Sequence, residues 1–192
     1  MRAFLAALIV VLGAAGAWLG YEIYRKSADN ADKPYGVPFT LTDQDGQPIT
    51  EAAFRGHPTT VFFGFTHCPE ICPTTLYELN NWYDALGDDG KNIRSFFVSI
   101  DPERDTPEVL GTYIGNVNQH VRGITGDPEA VRAMARGFNI YFKRIDTGDG
   151  DYTMDHTASI LLLDSQGRFR KTISFGEDSA SAIQKLRDLS KT

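Results

Sequence analysis

Strand and helix patterns alternate along most of this chain, and that alternation constrains its fold more than any other feature. Patterns typical of strands occur at residues 39–42, 61–65, 93–100, 121–125, 140–145 and 159–163. Residues 168–174 follow a turn at 164–167 and are interpreted as the hairpin partner of 159–163. Helix patterns, three of them with a proline near the start, cover residues 73–86, 106 onward, 127–137 and 178–189. The sequence therefore predicts an α/β fold with a mixed central sheet flanked by helices.

The N-terminal segment is apolar enough to interact with a membrane. Residues 3–21 are all apolar or glycine, and as a helix they would span about 28 Å, close to the ~30 Å of a bilayer core. We interpret residues 1–25 as a membrane anchor, an N-terminal transmembrane helix, because the run stays apolar through Trp18–Tyr21. A secretory signal peptide cleaved after the small residues 15–17 is the alternative. Either interpretation exports the globular part.

Residues 26–37 have the composition of a linker, and residues 38–192 have the length of one domain. The linker is rich in Ser, Asp, Asn, Pro and Gly and has no apolar period. The net charge is −6 and the basic residues are scattered, which argues against nucleic acid as a partner. Because no Arg- and Ser-rich transit sequence is present, we expect a single-pass protein of the bacterial cell membrane with its globular domain in the periplasm.

The two cysteines of the chain, Cys68 and Cys72, lie between the predicted strand 61–65 and the helix predicted from Pro73. Residues four apart on a helical turn are about 5–6 Å apart at Cβ, so the two sulfurs could bond or hold one ion. A disulfide closing so short a loop would contribute only about 2 kcal/mol. A helix N-terminus also favours the thiolate. We therefore interpret the pair as functional rather than as a structural staple.

Among the four histidines, two are candidates for a site with the cysteines. His67 adjoins Cys68, but adjacent side chains of an extended chain point apart. His156 directly precedes the predicted strand 159–163, and the residues alone leave open a solvent-facing loop histidine. The Asp-rich stretch 146–151 lacks the spacing of a calcium-binding EF-hand loop, so it is interpreted as the tip of a hairpin.

Three motifs together carry a resemblance to a known family. They are GFTHCPEICP at 64–73, IDPERDTP at 100–107 and DHTASILLLDSQGRF at 155–169. In this order they resemble the Sco/SenC family of copper chaperones. The resemblance implies a thioredoxin-like fold, a membrane tether, and one copper ion, Cu(I) or Cu(II), bound by Cys68, Cys72 and His156. It leaves open whether Asp101 orients the site or caps a turn.

The same resemblance implies a function in assembly of the binuclear copper centre of cytochrome c oxidase. The implied partners are the copper-site subunit of the oxidase, a thiol reductant protein and other copper carriers. Coordination chemistry agrees, because soft thiolates select copper(I) and imidazole accepts either oxidation state of copper. Zinc is not excluded by ligand type alone, since a Cys₂His set with water occurs in catalytic zinc sites.

Two other functions use the same sulfurs. In a thiol–disulfide oxidoreductase, Cys68 and Cys72 would be the redox-active residues and would keep the cysteines of the oxidase copper site reduced. Their three-residue spacer differs from the two-residue spacer of general thioredoxins. A thiol peroxidase ranks last, because nothing near Cys68 in the sequence marks a peroxide site.

Overall fold

The computed structural model describes residues 12–25, 33–148 and 150–192. Residues 12–25 form helix α1, whereas the first part of the predicted anchor and most of the predicted linker lie outside the described residues. Within those three ranges, no helix is both long and apolar enough to cross a bilayer. The chain divides into two units, Met1–Lys33 and Pro34–Thr192, and the second contains the predicted domain.

The second unit is built on a mixed sheet, as predicted, and this sheet has seven strands. Its strands are β1 (Thr40–Asp43), β2 (Pro48–Thr50), β3 (Thr59–Gly64), β4 (Arg94–Ser99), β5 (Val121–Thr125), β8 (Ser159–Leu163) and β9 (Phe169–Ser174). Their order is β2-β1-β5-β4-β3-β8-β9. The β3–β4 and β4–β5 pairs are parallel, and the remaining pairs are antiparallel. Two further strands, β6 (Phe142–Gly148) and β7 (Asp151–His156), form a separate hairpin.

Four helices accompany this sheet: α2 (Ile71–Leu86), α3 (Pro107–Val117), α4 (Pro128–Gly137) and α5 (Ser179–Leu189). The start predicted for α3 is confirmed, since the Thr106 side chain accepts a hydrogen bond from the Val109 N–H. Asp127 caps α4 in the same way. Such caps satisfy amide groups that have no partner within the helix, so these short polar residues determine where each helix begins.

The core of the unit lies around β3 and β4. Every residue of β3 is buried, as expected for a strand covered on both faces. Helix α2 contributes a buried stripe of Cys72, Thr75, Leu76, Leu79, Trp82, Tyr83 and Leu86. The end of β3 and the start of α2 are therefore both anchored in the core, and the segment between them carries the cysteines.

The sequence did not predict strand β2, and two further predictions, both near the candidate site, differ from the structure. Helix α2 begins at Ile71 rather than Pro73, so Cys72 lies in its first turn instead of in a loop. The first turn tolerates Pro73 because its amide groups have no partner within the helix. Strand β7 was not predicted, and His156 is its last residue rather than part of a loop. None of its residues is buried, which explains the missing apolar signal.

Candidate metal centre

The two cysteines are held close together by the connection from β3 to α2. The Cys72 N–H donates a hydrogen bond to the Cys68 sulfur, with a nitrogen–sulfur distance of 3.3 Å. Cys72 is fully buried, whereas Cys68 is 9% exposed. Both are free thiols. The structure thus confirms that the four-residue spacing juxtaposes two sulfurs at the end of a central strand.

His156 reaches the same site from the β6–β7 hairpin. Its Nε2 lies 3.7 Å from the Cys72 sulfur, and its Nδ1 lies 3.0 Å from the carbonyl oxygen of Thr157. A carbonyl can only accept, so Nδ1 carries the proton that it donates to Thr157, and Nε2 is the ring nitrogen that faces the sulfurs. The ring is packed edge-on against Phe65, with the ring centres 5.8 Å apart. The imidazole is therefore oriented as a ligand rather than exposed in a loop.

One atom each from Cys68, Cys72 and His156 lies within 4.8 Å of the other two. Across residues 12–25, 33–148 and 150–192, no other group of histidine, cysteine or acidic residues meets that description. His67 stays outside the group, where its Nδ1 lies 3.1 Å from the Thr66 hydroxyl. The arrangement suits a soft ion that accepts two thiolates and one imidazole.

The pKa values of the two cysteine side chains are shifted in opposite directions. The pKa of Cys68 is lowered to about 4, mainly by the hydrogen bond from the Cys72 side chain and less by one from His156, against the opposing effect of burial. The pKa of Cys72 is raised by its hydrogen bond to Cys68, by burial and by the negative charge of the Cys68 thiolate. At neutral pH the pair therefore holds a Cys68 thiolate beside a Cys72 thiol. A thiolate is the form that binds a metal or attacks a disulfide.

Gly64 provides the space that the Cys72 sulfur occupies. A Cβ atom at this position would lie 2.9 Å from that sulfur and 2.8 Å from the Phe97 ring. Both groups are fully buried, so neither can withdraw into solvent. The last residue of β3 must therefore lack a side chain for the cysteine to approach.

We expect the Gly64→Ala variant to be destabilised by about 1–3 kcal/mol, the usual cost of overpacking a core, and to displace the Cys72 sulfur. Urea denaturation of the Gly64→Ala variant and of the parent protein measures the loss of stability. Gly115→Ala in α3 is the matched control, because a Cβ there meets nothing within 4 Å. Removing a helical glycine should raise stability by about 0.5–1 kcal/mol. Equal midpoints for Gly64→Ala and the parent protein would contradict this account of the site.

Asp105 ties the cysteine loop to the end of β4. Its carboxylate accepts hydrogen bonds from the Thr66 hydroxyl at 2.6 Å and the Thr66 N–H at 3.1 Å. It also accepts one from the Ser99 hydroxyl at 2.6 Å. Burial raises the pKa of this carboxyl, and the bonds from Ser99 and Thr66 oppose that effect. Thr66 lies two residues before Cys68, so Asp105 fixes the approach of the loop to the site.

Asp101, whose role the sequence left open, contacts the hairpin. One carboxylate oxygen accepts a hydrogen bond from the Tyr152 hydroxyl at 2.7 Å. The other pairs with the Arg104 Nε at 2.5 Å. Asp101 also supports the turn after β4, since its carbonyl oxygen accepts from the amides of Arg104 and Asp105. Its side chain therefore connects this turn to the hairpin that carries His156.

Sequence reasoning missed Gly64, Asp105, Arg104, Tyr152 and Tyr113. The Tyr113 hydroxyl is buried and has no hydrogen-bond partner among the described residues. Burial raises the pKa of this phenol, and negative charge on the two cysteines adds to the effect. The segment 100–107 was noticed as a motif, so Arg104 and Asp105 carried a signal. No pattern in the sequence distinguishes Tyr113 or Tyr152 from other tyrosines.

The fold and the site together define an α/β protein of the thioredoxin-like class, with a dithiol and an imidazole at the end of a central strand. The profile of the SCO1/SenC family matches residues 27–191. The chain belongs to this family, as its motifs predicted.

Individual relatives agree with that placement. Protein SCO2, mitochondrial, from Saccharomyces cerevisiae is 33% identical over 193 residues, covering 95% of this chain and 64% of its own length. The structure of Bradyrhizobium japonicum ScoI with copper bound has 41% identity and a TM-score of 0.74, covering 81% of this chain and 99% of that one. Yeast Sco1 with copper bound gives 30% identity, a TM-score of 0.76, and coverage of 83% and 90%.

Proposed function

We propose that this protein is a copper chaperone for the assembly of cytochrome c oxidase, with Cys68, Cys72 and His156 as the copper ligands. The observation that carries the proposal is the convergence of one donor atom from each of these residues within 4.8 Å. Support comes from the bacterial and yeast relatives whose structures contain copper. The ion is the cargo of the protein and is passed to the binuclear copper centre of the oxidase.

The ligand set suits a carrier. Two thiolates and one imidazole favour copper and satisfy its low coordination number without a fourth protein ligand. A structural zinc site would normally have four protein ligands. An ion held by three leaves a position at which an acceptor ligand can attack. The site therefore combines affinity for a soft ion with a route for its release.

A second candidate function rests on the unequal protonation of the pair. The Cys68 thiolate could attack a disulfide of the oxidase copper site, form a mixed disulfide and release one target thiolate. Cys72, after losing its proton, would then attack the Cys68 sulfur and release the second target thiolate. The target gains two electrons and the chaperone is left with a Cys68–Cys72 disulfide. A thiol reductant protein must then restore the pair before copper can bind.

The proposed organisation of the chain has three parts, and the globular part is exported. Residues 1–25 would be a single-pass anchor in the bacterial cell membrane or a signal peptide, residues 26–37 a linker, and residues 38–192 the copper-binding domain in the periplasm. The linker would let the domain meet an oxidase subunit in the same membrane. Copper would arrive from other carriers in that compartment.

The decisive experiment titrates the full chain, purified in mild detergent and reduced, with copper(I) in the absence of oxygen. We expect one ion per chain and protection of both thiols from alkylation, because each sulfur becomes a ligand. If both thiols are alkylated as fast at saturating copper as they are without copper, the chaperone proposal would be overturned. Rapid reduction of an oxidase-site peptide disulfide by that same chain would then favour the second candidate.

A further inference from the structure

The hairpin that supplies His156 presents three side chains on one face of β7. Alternate residues of a strand share a face, so Tyr152 and Met154 point the same way as His156. Met154 packs against the core, while the Tyr152 hydroxyl reaches Asp101 and the imidazole reaches Cys72. Tyr152 and His156, four residues apart on this face, thus contact the turn after β4 and the first turn of α2 respectively.

Tyr152 contacts charged side chains through both its ring and its hydroxyl. The guanidinium carbon of Arg104 lies 3.6 Å from the centre of its ring, and that of Arg144 lies at the same distance. Two groups this close cannot share one face, so the ring lies between them. Arg104 Nη1 also donates to the Tyr152 carbonyl oxygen at 2.9 Å. Asp101, Arg104 and Tyr152 form what we call the hairpin latch.

The hairpin depends on such contacts because it forms no backbone ladder with the large sheet. Among the residues that the structure describes, strands β6 and β7 pair only with each other, and an isolated two-stranded hairpin is marginally stable in water. At its base, the Thr157 N–H donates to the Tyr141 carbonyl oxygen at 3.0 Å. Asp101 is 3% exposed and charge-paired with Arg104, so the latch joins the strand to a buried carboxylate rather than to a mobile surface group.

Tyr152 is chemically suited to donate to Asp101. The pKa of its phenol is raised to about 12, first by desolvation and then by the hydrogen bond to Asp101 and the negative charge of that carboxylate. The hydroxyl therefore keeps its proton throughout the physiological range. Over that pH range the hydroxyl can donate to Asp101 while the ring contacts the two guanidinium groups.

We propose that Tyr152 is a positioning residue for copper binding: through Asp101 and Arg104 it holds β7 in the place where His156 meets the Cys68 and Cys72 sulfurs. This inference rests on the proposed copper function. Without the latch, His156 would be in position for only part of the time. The apparent affinity falls in proportion to the fraction of molecules that are competent to bind.

The test measures copper(I) affinity by competition with a chromophoric chelator, using the full chain in detergent. We expect Tyr152→Ala to weaken binding about tenfold, the lower end of the range for residues that orient metal ligands. Tyr152→Phe keeps the ring between the guanidinium groups and loses the bond to Asp101, so its effect should be smaller. Ile145→Ala is the matched control, because Ile145 is on the opposite face of the hairpin and is 37% exposed.

A double variant separates positioning from general destabilisation. If Tyr152 acts through the imidazole, adding Tyr152→Ala to His156→Ala should cause no further loss of affinity, whereas independent effects would add. The copper(II) form offers a second readout, since the nitrogen hyperfine signal of the imidazole should weaken in Tyr152→Ala and persist in Ile145→Ala.

Two results would overturn the inference: wild-type affinity in a folded Tyr152→Ala chain, or an additive loss in the double variant. If Tyr152→Ala melts below the assay temperature, Tyr152→Phe carries the same comparison, and an unchanged affinity in that variant would count against the latch. A wild-type chain that binds no copper would instead refute the proposed function, so the two failures are distinguishable.

Discussion

The Cys72→Ser variant is expected to lose copper binding and disulfide exchange together. Its sulfur is fully buried and lies 3.7 Å from the His156 Nε2, so it is central to the three-atom site. A serine hydroxyl is a hard, protonated donor that does not replace a thiolate for copper(I). It also cannot form a disulfide with Cys68. Copper(I) titration and the rate of reduction of a peptide disulfide measure the two losses.

Thr75→Ser is the matched control for this variant. Thr75 is buried in the same helix, and its hydroxyl donates to the Ile71 carbonyl oxygen at 2.7 Å, a bond that serine can keep. We expect this variant to retain both activities. Thermal melts of both variants establish that each is folded. Stoichiometric copper bound tightly by folded Cys72→Ser would remove this sulfur from the ligand set.

The second large effect is expected for His156→Ala, and it should separate the two functions. Removing the imidazole leaves two sulfurs to hold the ion, so copper affinity should fall by more than the roughly tenfold expected for loss of a group that only orients a ligand. Disulfide exchange should continue at a similar rate, because it needs only the two sulfurs. Competition titration and peptide reduction, performed on the same preparation, measure both quantities.

His67→Ala provides the control for His156→Ala. His67 adjoins Cys68, but its ring is exposed and contacts Thr66 rather than the sulfurs. Its removal should leave copper affinity unchanged. If the two histidine variants lost affinity equally, His67 would have to enter the site through a rearranged loop, and the ligand set proposed above would be wrong.

The elements that a sequence predicts well here are those with a strong local signal. Strands such as β3 and β8 are built on short apolar runs, and α3 and α4 begin at polar caps followed by proline. The approach of His156 to Cys72 was expected only through the family resemblance. Spacing alone could not join residues 84 positions apart in the chain.

The missed features depend on packing or on long-range pairing. Strand β7 has no buried residue, so neither alternation nor an apolar run marks it. Gly64 is required because of two side chains that arrive from other elements, and no local pattern reveals a close approach of that kind. Tyr152 is likewise defined by Asp101 and Arg104, which lie some 50 residues earlier in the chain.

The unequal exposure of the two sulfurs has a consequence for the direction of ligand exchange. Cys72 is enclosed by β3 and the start of α2, while Cys68 retains a small accessible area. With copper bound as proposed, an acceptor thiolate approaching from solvent would therefore meet the ion on the side of Cys68. Cys72 would then be the last protein ligand to dissociate, and it would keep the departing ion from being lost to water before the acceptor has bound it.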